Sequence, residues 1–226
     1  MEKRTVRFGS YDTAAYGWTL TGYKLSDAEQ KLNYVEKPGG DGSWDMSTTL
    51  TDGIPRYKDR SLTVTLECSE GTRADRQALI SEMVNTLDGL VWDTVLPDYP
   101  GHFVTGRIHV AVVQNSLAYA AVTVTGTVAP WLYCRRENVT ELQPTDMQLQ
   151  EVKLRNSGRL VVVPSFTVEG GANDTARFEY GASSMSVGPG VYKWPAVVLT
   201  QGLHTLRYAA SSGCTVTITY REAVLA

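Results

Sequence analysis

The chain has 226 residues, of which 42% are hydrophobic and 20% are charged, the composition of an ordinary globular protein. Its formal net charge of −3 argues against tight binding of nucleic acid, because such binding depends on clustered lysine and arginine. Neither the first residues nor any later segment contains the apolar run of a secretory signal or a membrane span. We therefore expect the protein to be made in the cytoplasm and to stay out of membranes.

The cysteines are Cys68, Cys134 and Cys214, an odd number at wide and irregular spacing. A disulfide framework or a zinc site would need paired or closely spaced cysteines. We expect three reduced thiols that are mostly buried.

The first half of the chain predicts strands around a single helix. An early strand is predicted at residues 17–23, and the glycine-rich residues 38–43 predict a turn. In residues 62–68, four apolar side chains alternate with two threonines and a glutamate, which is the period of a strand buried on one face. Such a strand belongs to a half-buried sheet.

The helix is predicted directly after this strand. Thr72 and Asp75 have the spacing of an N-terminal cap, and Gly89 supplies a left-handed stop. Between them, five apolar residues recur at helical spacing and form one stripe: Leu79, Ile80, Met83, Val84 and Leu87. We interpret the stripe as a face that packs on the protein's own sheet, in preference to a face that binds a partner.

Further strands are predicted at residues 90–96, 103–113 and 117–128, and Pro130 ends the last of them. Residues 138–152 are polar, contain Pro144 and show no periodicity, which is typical of a linker. The sequence therefore predicts an N-terminal domain in residues 1–137 and a second domain in residues 153–226.

The second domain consists of short apolar runs separated by turn residues at close intervals. Strands are predicted at residues 160–163, 165–168, 176–180, 191–194, 197–199, 204–208 and 214–220. This spacing is typical of a β-sandwich. The whole chain is therefore predicted to be mainly β, with one α-helix in the N-terminal domain.

Motifs for catalysis or metal binding are lacking in the sequence. His102, His109 and His204 do not pair with one another or with a cysteine at metal-ligand spacing. The chain contains neither a Gly-x-Ser-x-Gly elbow nor a Gly-x-x-x-x-Gly-Lys-Ser phosphate loop. We expect no catalytic residue, no metal and no cofactor.

Carboxylates leave one enzymatic alternative open, because a glycosidase needs only two of them. Asp93, Asp98 and Glu169 lie near predicted loops or strand ends, but a chain with 24 acidic residues brings such groups together by chance. Asp41 and Asp45 lack the ligand series of a calcium loop. A hydrolase is therefore the third hypothesis in order of preference.

Aromatic residues of the second domain offer a binding alternative. Tyr192 and Trp194 alternate with Lys193, and Tyr208 ends a nearby predicted strand. Flat aromatic faces can stack on sugar rings, although packing in the core is the commoner role. Tyr192, Trp194 and Tyr208 are the candidate carbohydrate contacts.

The order of several short segments in the first domain is distinctive. Residues 38–46 read PGGDGSWDM, residues 57–60 begin with tyrosine and end with arginine, and Gly89 closes the predicted helix. An aspartate-tyrosine-proline turn follows at residues 98–100, and a proline-aromatic segment closes the domain at residues 130–133. In this order, the segments resemble those of the distal tail proteins of long-tailed bacteriophages, the siphophages.

The second domain resembles the same family. It begins with Asn-Ser-Gly at residues 156–158, has a proline-marked strand at Pro164, and contains a Gly-Leu-His-x-Leu run at residues 202–206. The resemblance covers nearly the whole chain. It implies an N-terminal β-sandwich-like domain with one α-helix, followed by a galectin-like or jelly-roll β-sandwich.

The family resemblance also implies a function. Its members form a hexameric ring at the distal end of the tail, in which the first domains build the ring and the second domains project outward. The implied partners are the tail tube protein, the tail-associated tip or baseplate protein, and a host glycan or a receptor-binding protein, with DNA only passing through the lumen. The implied location is the tail tip of a phage or prophage virion that is assembled in the host cytoplasm.

A carbohydrate-binding module that recognises host cell-surface polysaccharide is the alternative function. The two hypotheses are compatible, because a tail hub can carry a host-binding domain.

Overall fold

The computed structural model describes residues 4–51 and 53–225. These residues divide into two compact units, residues 4–51 and 53–132 with Leu225 in the first, and Tyr133–Val224 in the second. No helix among the described residues is long and apolar enough to cross a membrane. Both units are built mainly from β-strands, which confirms the predicted fold class.

The helix and the strands of five or more residues in the first half of the chain lie close to their predicted positions, whereas the strands of two or three residues there were not predicted. The strands are β1 (Arg7–Phe8), β2 (Tyr11–Asp12), β3 (Thr19–Leu25), β4 (Tyr34–Glu36), β5 (Ser43–Asp45), β6 (Arg60–Cys68), β7 (Val91–Val95), β8 (His102–Asn115), β9 (Ala120–Val128) and β10 (Leu132–Cys134), and the helix is α1 (Arg73–Leu87).

Seven of these strands form the continuous path β2-β1-β7-β8-β9-β6-β3 through one antiparallel sheet. The predicted alternation in β6 is confirmed, since Leu62, Val64, Leu66 and Cys68 are buried and the residues between them are partly exposed. Strand β3 lies at one edge of the sheet, and β4 and β5 pair only with each other. The sheet thus has a buried face and a polar face.

The helix begins and ends where the sequence predicts. Thr72 and Asp75 form a reciprocal capping box, in which the Asp75 N–H donates to Thr72 Oγ1 and the Thr72 N–H donates to Asp75 Oδ2. Gly89 has a φ of 72°, the left-handed conformation expected after a helix. Ile80, Met83 and Leu87 are buried, so the apolar stripe packs inside the unit as predicted.

A buried arginine also belongs to this core. Arg76 is 1% exposed, and its guanidinium donates to the carbonyl oxygens of Gly71 at 2.6 Å, Ser116 at 3.0 Å and Leu117 at 2.9 Å. These bonds join the start of the helix to the turn between β8 and β9. Because Arg76 lies one turn before Ile80, its place on the buried stripe could have been read from the sequence.

The second unit is a sandwich of two four-stranded sheets, in the orders β11-β18-β13-β16 and β12-β17-β14-β15. Its core is apolar, with the rings of Phe166 and Phe178 4.9 Å apart. The eight strands of these two sheets are β11 (Asn138–Leu142), β12 (Gln150–Asn156), β13 (Ser165–Glu169), β14 (Ala176–Tyr180), β15 (Ser183–Val187), β16 (Gly190–Lys193), β17 (Gly202–Ala210) and β18 (Thr215–Tyr220), and the short strand β19 (Ala223–Val224) belongs to neither of them.

Residues 138–152, predicted as a linker, are instead part of the second unit. They contain all of β11 and the start of β12, which pair with β18 and β17. Both are edge strands with many exposed positions, so they lack the apolar alternation that identifies a strand in a sequence. Residues 160–163 and 197–199, predicted as strands, meet only through a single bridge between Val162 and Leu199.

Candidate functional site

The three candidate sugar contacts do not form one aromatic surface. Tyr208 is only 5% exposed and its hydroxyl donates to the Gln143 carbonyl oxygen at 3.3 Å, so its ring belongs to the core of the second unit. The prediction of Tyr208 as a surface contact is therefore corrected: its strand turns this side chain inward. Tyr192 and Trp194 also pack against that core but remain partly exposed, and their role as sugar contacts stays a prediction.

Two of the three carboxylates considered for hydrolysis, Asp93 and Asp98, are engaged with different partners, and the third lies in the other unit. Asp93 accepts a hydrogen bond from Thr105 Oγ1 at 2.5 Å, and Asp98 accepts one from Tyr23 Oη and forms an ion pair with Arg4. Glu169 lies in the second unit, at the end of β13. The three therefore do not face one common site within either unit.

The histidines and cysteines likewise lie apart from one another. His109 Nδ1 is 2.6 Å from Asp88 Oδ1, while His204 lies 2.8 Å from the Tyr180 hydroxyl. The three cysteines are free, and Cys68 and Cys214 are buried. Among residues 4–51 and 53–225, no group of three or more histidine, cysteine or acidic side chains could hold a metal ion.

A groove of about 520 Å³ runs beside the edge strand β3. Tyr23 closes one side of it by donating to Asp98 Oδ2 at 2.5 Å, and Arg4 contacts the other oxygen of that carboxylate at 2.8 Å. Arg60 lies at the buried side, where its Nε donates to the Ser26 carbonyl oxygen at 2.5 Å. These contacts join β3 to the turn after β7.

Burial, followed by the hydrogen bond to Asp98, raises the pKa of Tyr23 to about 12. A raised pKa means that the folded protein favours the neutral phenol, so the stabilisation is complete below pH 10 and is lost as the pH rises through 12. We expect the free energy of unfolding of Tyr23→Phe to fall less than that of the wild type between pH 9 and pH 12. Urea unfolding at several pH values measures the difference, and parallel pH profiles for the two proteins would contradict this.

The polar face of the first unit's sheet holds a second groove, of about 810 Å³. Thr63, Thr125 and His109 are direct cross-strand neighbours on β6, β9 and β8. The groove side chains on this face are short hydroxyls with one arginine and one histidine: Ser61, Thr63, Thr125, Thr127, Arg107 and His109. This part of the sheet is therefore a hydroxyl-rich surface, which we call the threonine face.

The segment between β3 and β6 projects as an arm, which we define as residues 30–57, with residue 52 outside the description. A bridge between Gln30 and Tyr57 closes its base, and the paired strands β4 and β5 form a hairpin within it. The arm exposes an unusual number of large apolar side chains: Leu32, Tyr34, Val35, Trp44, Met46 and Leu50. Val35 and Trp44 are cross-strand neighbours, and exposed apolar side chains that lie side by side mark protein interfaces.

The sequence matches no family model and no curated protein. Among solved structures, the chain is similar to the crystal structure of the SPP1 Dit (gp 19.1) protein, described as a paradigm of the hub adsorption apparatus in phages that infect Gram-positive bacteria. The match has a TM-score of 0.66 and 14% identity, and covers 96% of this chain and 98% of that chain. The chain has the Dit fold.

The likeness to the Dit fold confirms the structural part of the predicted family resemblance, since it spans both units. A de novo designed double-stranded β-helix, solved by solution NMR, also matches, at 22% identity over 38% of this chain and 99% of the designed chain. Its TM-score of 0.27 is too low to carry an argument.

Within this chain's version of the Dit fold, sequence reasoning identified the glycine turn at residues 38–43 but not the arm around it. The turn lies between β4 and β5, where Gly39 and Gly42 have positive φ. The sequence signal for the exposed apolar arm is the pair Trp44 and Met46 directly after the turn, because large apolar residues beside a polar turn need a surface to pack on.

Proposed function

We propose that this chain is the hub at the distal end of a phage tail, where six copies form a ring that joins the tail tube to the tip or baseplate proteins. The observation that carries the proposal is the Dit fold over 96% of the chain, because the matched protein is described as a hub. In this role the chain acts as a structural component and not as an enzyme. It belongs to the virion tail and is assembled in the host cytoplasm.

The arm supports the proposal by supplying a self-association surface. A closed ring needs a head-to-tail interface, in which one surface of each copy meets a different surface of the next. The arm's exposed apolar side chains belong to such a surface, because they pack against little of their own chain. We assign the arm to the contact with a neighbouring copy.

The threonine face supports passage of DNA through the ring. Its hydroxyls carry no charge, and the His109 ring beside them is paired with Asp88. Apart from Arg107, the wall consists of short hydroxyl side chains and this histidine, which offer weak contacts, and the overall charge of −3 opposes tight binding of a polyanion. We assign the threonine face to the lumen.

Light scattering coupled to size-exclusion chromatography tests the ring. Six chains of 24.8 kDa give about 149 kDa, and negative-stain electron microscopy is expected to show rings with a central hole. Because a ring can depend on its neighbours in the tail, the measurement is made over a range of protein concentrations and repeated with the cognate tail tube protein. A monomer under all of these conditions would refute the proposal.

A further inference from the structure

The two outer faces of the second unit's sandwich differ in charge. On the sheet β12-β17-β14-β15, alternate residues point outward and include four basic and two acidic side chains, a net charge of +2: Lys153, Arg155, Arg177, Arg207, Glu151 and Glu179. On the other sheet, the outward residues include one basic and two acidic side chains: Lys193, Glu141 and Glu169. A basic surface on a chain of net charge −3 is a local concentration of positive charge, which we call the basic face.

Glu179 holds two guanidinium groups at the centre of the basic face. Arg177 Nη2 lies 2.7 Å from Glu179 Oε1, and Arg207 Nη1 lies 3.3 Å from Glu179 Oε2. The Glu179 side chain is only 18% exposed, whereas both arginine side chains are about half exposed. Each arginine therefore has one terminal nitrogen fixed by the carboxylate and keeps further N–H groups for a ligand.

The edge strand β12 adds two more cations to the basic face. Lys153 is the cross-strand neighbour of Thr205, and Arg155 is the neighbour of Leu203. Neither side chain has a hydrogen bond or an ion pair with any residue in 4–51 or 53–225. Successive outward residues of a strand are roughly 7 Å apart, so the two charges form a row along the sheet edge.

We propose that the basic face binds an anionic polysaccharide, a sugar chain that carries phosphate or carboxylate groups. Guanidinium groups fit either oxyanion, because their N–H groups form paired hydrogen bonds with two oxygens. Sugar hydroxyls can bond to Glu151 and to the outward hydroxyls of Thr205, Ser184 and Ser186, which lie on the same face. The site is distinct from Tyr192 and Trp194, which pack against the core of the sandwich.

A sugar polymer fits the basic face better than a protein partner does. Protein interfaces have an apolar or aromatic core. On the strands β12, β17, β14 and β15, all of which the structure describes, Leu203 is the only large apolar side chain that points outward. The lack of an outward aromatic ring on the same strands also disfavours neutral sugars, which stack on such rings. The proposal concerns the single chain and does not rest on the ring, although several copies in a ring would strengthen binding through multivalency.

Binding is tested with the full chain by isothermal titration calorimetry at low salt, using polygalacturonate as the polycarboxylate and poly(glycerol phosphate) as the polyphosphodiester. At least one of them is expected to bind, and the stronger of the two identifies the anion. Lys153→Glu is expected to weaken that binding about tenfold, because it reverses a charge in a row of cations.

Lys193→Glu is the matched control. It makes the same charge change at an exposed position, also on an edge strand, but on the opposite sheet, and is expected to leave the affinity within about twofold. Melting curves check that both variants are folded. Binding of neither polymer, equal losses in the two variants, or stronger binding of duplex DNA than of both polymers would each overturn the proposal. None of these results depends on whether the chain forms a ring.

Discussion

The double variant Trp44→Asp, Leu50→Asp is expected to be monomeric under conditions in which the wild type forms the ring. Leu50 is 97% exposed and loses almost no packing within the chain, and Trp44, which is 51% exposed, loses only the packing of its buried part. In the ring, each aspartate would bury a charge where an apolar anchor should lie, and loss of a single anchor costs roughly 2 kcal/mol or more. We expect the association constant to fall at least about 100-fold, measured by light scattering over a concentration series.

The control for this experiment is Val191→Asp, which also replaces an apolar residue that is 70% exposed, but on the outer face of the second unit. It is expected to leave ring formation unchanged. The melting temperature of Val191→Asp should lie close to that of the wild type, because exposed positions contribute little to stability, and that of the double variant should fall only by what the buried part of Trp44 contributes. A double variant that still forms rings would remove the arm from the interface while leaving the hub proposal intact.

The arm also shows where sequence reasoning stops. Tyr34, Val35 and Trp44 are apolar residues in short strands, and in a sequence they look the same as residues that fill a core. Their exposure follows from tertiary structure, because β4 and β5 pair only with each other and lie outside the main sheet. The turn at residues 38–43 could be predicted, since glycine determines it locally.

Alternation predicts a strand well only when one of its faces is buried. The pattern of β6 identifies both the strand and its inward residues, because its two faces meet different surroundings. In β12, the inward Leu154 and the outward Lys153 and Arg155 follow the same rule, but the strand begins among exposed polar residues, and its first three residues belong to the segment predicted as a linker. The basic face could not be predicted, because its charged residues come together only through the register between β12, β17 and β14.

Tyr208 illustrates the same limit for single side chains. Tyr192, Trp194 and Tyr208 look alike in the sequence, because an aromatic ring can serve a surface or a core equally well. Burial separates them, since Tyr208 alternates with the outward Arg207 and is only 5% exposed, whereas Tyr192, on the edge strand β16, packs against the same core but stays partly exposed. The sequence shows that side chains alternate along the strand, but the position of the opposing sheet decides which set of alternate side chains faces the core.

Gly106→Ala is expected to destabilise the first unit's sheet strongly. Gly106 lies opposite Val128 in the pairing of β8 with β9. A Cβ atom at this position would overlap the Thr127 carbonyl oxygen and lie 2.5 Å from Val128 Cα, both of which are backbone atoms. Since backbone cannot rotate away as a side chain can, the two strands would have to separate. We expect a loss of about 3 kcal/mol or more, or roughly 10 °C in the melting temperature.

Gly126→Ala is the matched control, because Gly126 lies in the same strand pair opposite Ile108. Its added Cβ would be 3.1 Å from the Arg107 carbonyl oxygen and from Ile108 Cγ2, so a shift of a few tenths of an ångström relieves the contact. The lower flexibility of alanine in the unfolded chain offsets part of that cost, and we expect a change within about 1 kcal/mol. Thermal unfolding of the two variants measures the difference. Equal stabilities would contradict the prediction, because they would mean that β8 and β9 can separate at Gly106 without a cost in stability.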